Sequence, residues 1–216
     1  AADHGTELRV RGRAAPPDPT PEGAVVAGRF EIHRELARGG MGAVYVAHDR
    51  ALERTVALKL ILPVDEPGLL ESLERRFERE IRILEQVRDQ RILRPLAWGR
   101  DAKGLFFASD LLEGRTLAAW VAEEGPLSEA RARFVAREVA RALAEVHAAG
   151  FVHRDIKPAN LFAERGRSGL ENIWVLDFGI ARALADDPAS TPPITREGGL
   201  IGTPSHLAPE QAMGGP

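Results

Sequence analysis

Eight consecutive residues, His153-Arg154-Asp155-Ile156-Lys157-Pro158-Ala159-Asn160, place a candidate base, a lysine suited to a phosphate and a metal-binding amide within one short segment. A second metal-binding side chain, Asp177, opens Asp177-Phe178-Gly179 after a short hydrophobic stretch. Together these are parts that phosphoryl transfer requires. Its transition state is loose, with charge spread over the phosphoryl oxygens, so catalysis is mostly positioning plus electrostatic stabilisation. A nucleotide cradle and a cation for its phosphates must then lie elsewhere in the chain, on elements that hold them against this segment.

Read by itself the segment could be a polar turn between two strands. The pattern H-R-D-x-K-P-x-N with the aspartate motif downstream resembles the catalytic loop of protein kinases, and its Asp-x-Lys-x-x-Asn form is similar to the serine/threonine branch. The resemblance, to bacterial serine/threonine protein kinases, covers roughly residues 28 to 216. It implies an α+β, bilobal protein-kinase-like fold with a small β-rich N-lobe carrying one helix, and a helical C-lobe. ATP and Mg2+ are the implied cofactors. Asp155 would orient the attacking hydroxyl and accept its proton, Lys157 would steady the transferred phosphoryl, and Asn160 with Asp177 would hold magnesium. Phe162 would pack beneath adenine, and His153 would be structural. Arg154 would bind a phosphorylated activation loop through charge-assisted bonds.

The remaining parts occur in the expected order. Leu36-Ala37-Arg38-Gly39-Gly40-Met41-Gly42-Ala43-Val44-Tyr45 lies between two apolar segments. As a bare glycine cluster it is a plain hairpin; with the resemblance it is the nucleotide cradle, in which Gly39, Gly40 and Gly42 let backbone amides approach phosphate oxygens. Ala37 stands where the family pattern begins with glycine. Thr55-Val56-Ala57-Leu58-Lys59-Leu60-Ile61-Leu62 has strand character, and period-two alternation puts Ala57, Lys59 and Ile61 on one face. An arbitrary strand would carry Lys59 as a solvated edge residue. Val56-Ala57-Leu58-Lys59 resembles V-A-I-K, whose lysine pairs with the α- and β-phosphates.

Apolar positions Leu70, Leu73, Phe77, Ile81, Leu84 and Val87 recur at helical spacing, with Glu80 on or beside their stripe. A charge facing a core needs a partner, which makes Glu80 the candidate for Lys59; otherwise it is an ordinary surface glutamate. In the segment from Leu105 to Gly114, alignment with the family puts Ser109 at the gatekeeper position. Asp110 to Leu112 then form the hinge that reads the adenine edge. Val44 and Ala57 complete the expected nucleotide contacts, with Asp110, Leu112 and Phe162.

Ser128 reads as a helix N-cap, and Phe134, Val135, Val139, Ala142, Leu143 and Val146 form an apolar face that runs to a stop at Gly150. That helix delivers the catalytic loop. Residues 180 to 207 have the Pro, Gly, Ser, Thr and charge content of a switchable segment. By alignment, Thr195 is the expected main autophosphorylation site, with Thr191 and Ser190 as alternates. Gly202-Thr203-Pro204-Ser205-His206-Leu207-Ala208-Pro209-Glu210 resembles G-T-x-x-Y-x-A-P-E, with Thr203 near Asp155 and Lys157 and His206 in the tyrosine position.

The 216 residues carry a net charge of −3 with both signs interspersed, no cysteine and no internal repeat. No nucleic-acid stripe follows from that charge, and no apolar run approaches the roughly 20 residues of a membrane helix. The absence of cysteine suits a cytoplasmic protein, or the cytoplasmic part of a membrane-anchored receptor kinase. Residues 1–27 read as a proline-rich disordered linker, 28–113 as the N-lobe and hinge, and 114–216 as a C-lobe left incomplete because the chain ends shortly after Glu210. The expected activity is ATP-dependent phosphorylation of serine or threonine hydroxyls on proteins, the activation loop included, though an incomplete C-lobe could leave this stretch inactive alone. The alternative is a pseudokinase that binds nucleotide as a regulatory or scaffold module. A homodimer through the N-lobe is compatible with the resemblance.

Overall fold

The computed structural model describes residues 20–39, 42–61, 67–102, 104–153, 155–165 and 171–176. Six antiparallel strands form the first sheet: β1 (Val25–Val26), β2 (Phe30–Gly39), β3 (Gly42–Asp49), β4 (Arg54–Ile61), β5 (Ala97–Asp101) and β6 (Gly104–Asp110). Their order is β1-β2-β3-β4-β6-β5. Alternation decides which way β4 faces. Val56, Leu58 and Leu60 are buried on one side, while Ala57 and Lys59 are partly exposed on the other. The buried side joins Val26, Phe30, Ile32, Tyr45 and Phe106 in a core belonging to this sheet.

The sheet starts upstream of residue 28, where the sequence reading ended its linker. Val25 and Val26 pair with Glu31 and Phe30, and the Gly23 amide donates to the Ile32 carbonyl at 2.8 Å. Val26 is completely buried. Two apolar residues behind a proline-rich stretch are too short a run for periodicity to reveal. The Ala27 amide, at a positive φ of 51°, donates to the Asp101 carboxylate on β5, which draws the two edges of the sheet together.

The turn from β3 to β4 is built on Asp49. Its carboxylate accepts from the amides of Ala51 and Leu52 and takes a bidentate pair from Arg29, at 2.7 Å from both Nε and Nη2. One buried side chain thus fixes the start of β2 and the end of β3 together. Arg29 is the leading reason the Asp49 carboxyl lies below its usual range.

Helix α1 (Pro67–Gln86) begins on a proline, whose missing amide costs nothing at a first helical position. It buries Phe77, Ile81 and Leu84. Phe77 meets the edge of Trp98 on β5, and the Trp98 indole donates to Glu85 at 3.1 Å.

The second lobe holds α2 (Leu117–Glu124), α3 (Glu129–Ala148), a 3-10 turn (Pro158–Asn160) and a sheet of β7 (Gly114–Thr116), β8 (Leu161–Arg165) and β9 (Glu171–Val175). Thr116 caps α2 and Ser128 caps α3 through their side-chain oxygens. Beyond α3, Gly150 takes a positive φ of 77°, the expected stop. Beside the helices expected of this lobe stands the additional sheet β7–β9, whose strands are too short to show alternation in the sequence. Gly114 is needed there because a Cβ would lie 2.1 Å from the Ala163 carbonyl oxygen. A second core runs from α1 through Ile92 to the inner face of α3 and to β8 and β9, so both lobes share apolar packing.

Candidate active site

The polar half of the site is the segment after α3. His153 is buried, with its Nε2 3.0 Å from the Leu176 carbonyl and its Nδ1 3.3 Å from the Asp155 amide. An amide can only donate, so Nδ1 accepts and the ring proton sits on Nε2, donated to Leu176. The imidazole is thereby a strut between the loop and the end of β9. Asp155 is held from two sides: Lys157 Nζ lies 2.8 Å from Oδ2, and Asn160 Nδ2 lies 2.8 Å from both Oδ2 and the Asp155 carbonyl. Both contacts use the amide nitrogen of Asn160, which leaves its Oδ1 available to a cation. The Leu176 amide donates to the Asn160 carbonyl at 2.9 Å, and the Val175 amide to the Arg91 carbonyl at 2.8 Å. Asp155 and Lys157 remain about a quarter and a fifth exposed, accessible to a reactant.

The apolar half is a cleft of about 170 Å3 between the lobes. Leu36, Val44, Ala57 and Lys59 line it from β2–β4, and Leu112, Phe162 and Leu176 from the hinge and second lobe. Phe107, Ser109, Leu84 and Leu93 complete the lining with Asp110 and Leu111. A largely apolar cleft with Lys59 among its lining residues suits a nucleotide base whose phosphates lie near Lys59. Asp110 contributes its backbone position, while its side chain turns outward to Arg54 at 2.9 Å.

Leu36 reaches the cleft because β2 is irregular. Glu35 pairs with Tyr45 and Ala37 with Val44, so Leu36 is the extra residue of a bulge. Regular alternation from Val44 would have put Leu36 on the opposite face. Gly42 has a use other than the one expected from sequence: a Cβ there would lie 2.0 Å from the Leu60 carbonyl oxygen, so glycine is required for β3 to lie against β4. Ala37 sits exposed in β2, paired with Val44, and its φ is not positive. Its methyl group therefore imposes no strain on the backbone.

The structure thus brings Val44, Ala57, Lys59, Asp110, Leu112 and Phe162 to one cleft, with Asp155, Lys157 and Asn160 gathered in the loop beside Phe162. Leu111, inside the expected hinge, lines the cleft too, and Leu36, Leu84, Leu93, Phe107 and Leu176 join it without having been among the expected nucleotide contacts. Leu36 had a weak signal, its place directly ahead of the glycine cluster. Gly39 closes the hairpin against Gly42. Gly40, Arg154, Asp177, Thr191, Thr195 and Thr203 lie outside the described residues, as does the side chain of Glu80.

A lysine-bearing strand, an interlobe cleft and an Asp-Lys-Asn cluster at a helix-delivered loop form one arrangement, and a protein kinase domain family model matches residues 30–214. The chain belongs to the protein kinase domain family. It is 37% identical over 197 residues to the serine/threonine-protein kinase pkn2 of Myxococcus xanthus, covering 90% of this chain and 23% of that protein. The crystal structure of a double mutant of the Mycobacterium tuberculosis PknI kinase domain superposes with a TM-score of 0.68 at 25% identity, covering 92% of this chain and 71% of that one. The structure of Rad53 1-466 in complex with AMP-PNP matches with a TM-score of 0.59 at 26% identity, over 70% of this chain and 38% of that one. This kinase domain spans 23% to 35% of the length of its first curated relatives. Its bilobal α+β fold is the expected one, and no described helix is long and apolar enough to cross a membrane.

Proposed function

We propose that this kinase domain transfers the γ-phosphoryl group of ATP to serine or threonine hydroxyls of proteins. The observation that carries the proposal is the Asp155 carboxylate, fixed by Lys157 and Asn160 at 2.8 Å and still open to solvent. Asp155 orients the acceptor hydroxyl and takes its proton as the oxygen bonds to phosphorus. Lys157 moves from pairing with Asp155 toward the charge on the transferred group. Lys59 holds the nonreacting phosphates, with Glu80 as its partner on α1. The base lies in the apolar slot between Val44, Ala57 and Leu36 on one side and Leu112 and Phe162 on the other. Asn160 Oδ1 and Asp177 would hold Mg2+, which when bound would supply neutralisation of phosphate charge.

Several assignments extend this reading. Residues 28–113 form the small lobe and hinge, preceded by a linker, and the second lobe follows from 114. Arg154 reads phosphate on the activation loop, at Thr195 first with Thr191 and Ser190 as alternates, and Thr203 positions the acceptor. The domain acts in the cytoplasm, and copies pair through the small lobe. The retained Lys59, Asp155, Lys157 and Asn160 argue for a working enzyme over a pseudokinase.

The test is intact mass after incubation with Mg·ATP, on the protein at its full natural length, with Asp155→Asn alongside. Phosphate added in the parent alone is the expected result. A folded parent that binds ATP and gains no mass on itself or on a generic protein substrate would overturn phosphotransfer.

A further inference from the structure

The chain's single tyrosine has its ring in the small-lobe core and its hydroxyl in a polar chain that the catalytic scheme above does not use. Tyr45 is 1% exposed, yet its Oη accepts from the Thr20 amide at 3.1 Å and from Arg38 Nη2 at 3.1 Å. Arg38 is at the same time clamped by Glu35, with Nε to Oε1 at 3.1 Å and Nη2 to Oε2 at 2.6 Å. In a regular strand, residues three apart face opposite sides. The bulge at Leu36 removes that restriction, so one irregularity turns Leu36 into the cleft and leaves Glu35 and Arg38 together beside Tyr45.

Arg38 is the residue before Gly39, and its backbone pairs with Ala43 at the base of the glycine-rich turn. Its side chain is therefore an anchor at the point where the turn leaves the sheet. Tyr45 anchors the other strand of the same hairpin, and through Thr20 it also holds the chain that precedes β1. The pairing with Glu35 is the leading reason the Arg38 guanidinium titrates above its usual range, and it keeps the Glu35 carboxyl below its own.

We infer that Tyr45 and Arg38 are positioning residues for nucleotide binding: their contact ties together the β2 and β3 strands that flank the glycine-rich turn and couples them to the backbone at Thr20. Neither side chain is among the residues that line the cleft. The inference rests on reading that cleft as the nucleotide site, and coupling of this kind is reciprocal: nucleotide must perturb Tyr45 as Tyr45 supports nucleotide.

Tyr45→Phe keeps the ring in the core and removes only the hydroxyl, and Arg38→Ala removes the other end of the contact. The probe is AMP-PNP with Mg2+, titrated by calorimetry into the full-length protein, so the readout does not depend on turnover. Loss of one hydrogen bond that matters to the turn weakens binding about threefold to tenfold in each variant. Tyrosine labelled with 13C at the phenolic carbon adds a second readout, the Tyr45 signal being the one missing in Tyr45→Phe. AMP-PNP shifts this signal in the parent and leaves it in place in Arg38→Ala. Equal affinity in parent and variants, or a shift that survives in Arg38→Ala, would overturn the inference, as would a lower thermal midpoint at unchanged affinity. A folded parent that does not bind AMP-PNP would instead bring down the nucleotide reading itself.

Discussion

The two halves of the candidate active site are held by different means. In the Asp155 loop, hydrogen bonds within a few residues of sequence fix the groups: Lys157 and Asn160 donate to the Asp155 carboxylate, and His153 accepts from the Asp155 amide. In the roof of the cleft, no comparable network links Leu36, Val44 and Ala57 among the described contacts. They sit where strand register puts them. The loop should therefore respond to the loss of a functional group, and the roof to anything that shifts one strand against another.

The sharpest test of that contrast is Asp155→Asn. It should lower phosphotransfer by about 10²- to 10⁴-fold, the range for losing a positioned base, while AMP-PNP binds as before. A parallel loss of nucleotide affinity would mean that loop and roof are not separable.

Next comes Asp49→Ala, far from the loop but central to the strands. Arg29 is partly exposed, so the cost falls below that of a fully buried pair, at about 2–3 kcal/mol. The effect depends on pH in a defined sense. The Asp49 carboxyl is depressed in the folded protein, so its contribution is full above the unfolded value of about 3.9 and is lost as pH falls through the lower folded value. Urea midpoints of parent and variant should differ at pH 7 and converge in acid.

Gly42→Ala should cost about 2 kcal/mol, as overpacking does, because the new methyl group forces β3 from β4 at Leu60. AMP-PNP affinity should fall with the thermal midpoint. An unshifted midpoint would show that the strands absorb the group and that register is looser than described.

The smallest effect belongs to Ser128→Ala. Its bond to the Arg131 amide is long, at 3.4 Å, so the loss should be about 1 kcal/mol or less. The KM for ATP should not move. If it did, the frame of α3 would be tuning the site as well as supporting it.

The same contrast explains what the sequence made legible. The loop could be read because residues that act together are neighbours in sequence: Asp155, Lys157 and Asn160 occupy six positions. Period-two alternation put Lys59 and Ala57 on one face, the resemblance to V-A-I-K turned that face toward nucleotide, and α3 followed from its cap and apolar face. Leu36 could not be placed, because a bulge reverses facing and leaves no mark in the pattern. Leu93 and Leu176 come to the cleft from irregular segments, where no period applies. The Arg91–Glu138 pair joins positions 47 apart, a proximity that only the folded chain creates. The short strands β1 and β7–β9 escaped for a different reason from Leu36: their runs are too short to show alternation, and pairing with their partners makes them strands.

That Arg91–Glu138 pair has a consequence in temperature. Glu138, 12% exposed, is shared by Arg91 at 2.7 Å and by Arg137 and Arg141 at 3.1 Å, and Arg91 also meets Asp89 at 2.5 Å. The cluster fastens the segment after α1 to the middle of α3. Hydration of charged groups becomes less favourable on warming, so the penalty for keeping them from water shrinks. Apolar burial gains no corresponding advantage. As the protein is heated, this ionic seam should hold its share of the stability better than the apolar sheet around Tyr45, and the two lobes should stay fastened there while the small lobe begins to melt.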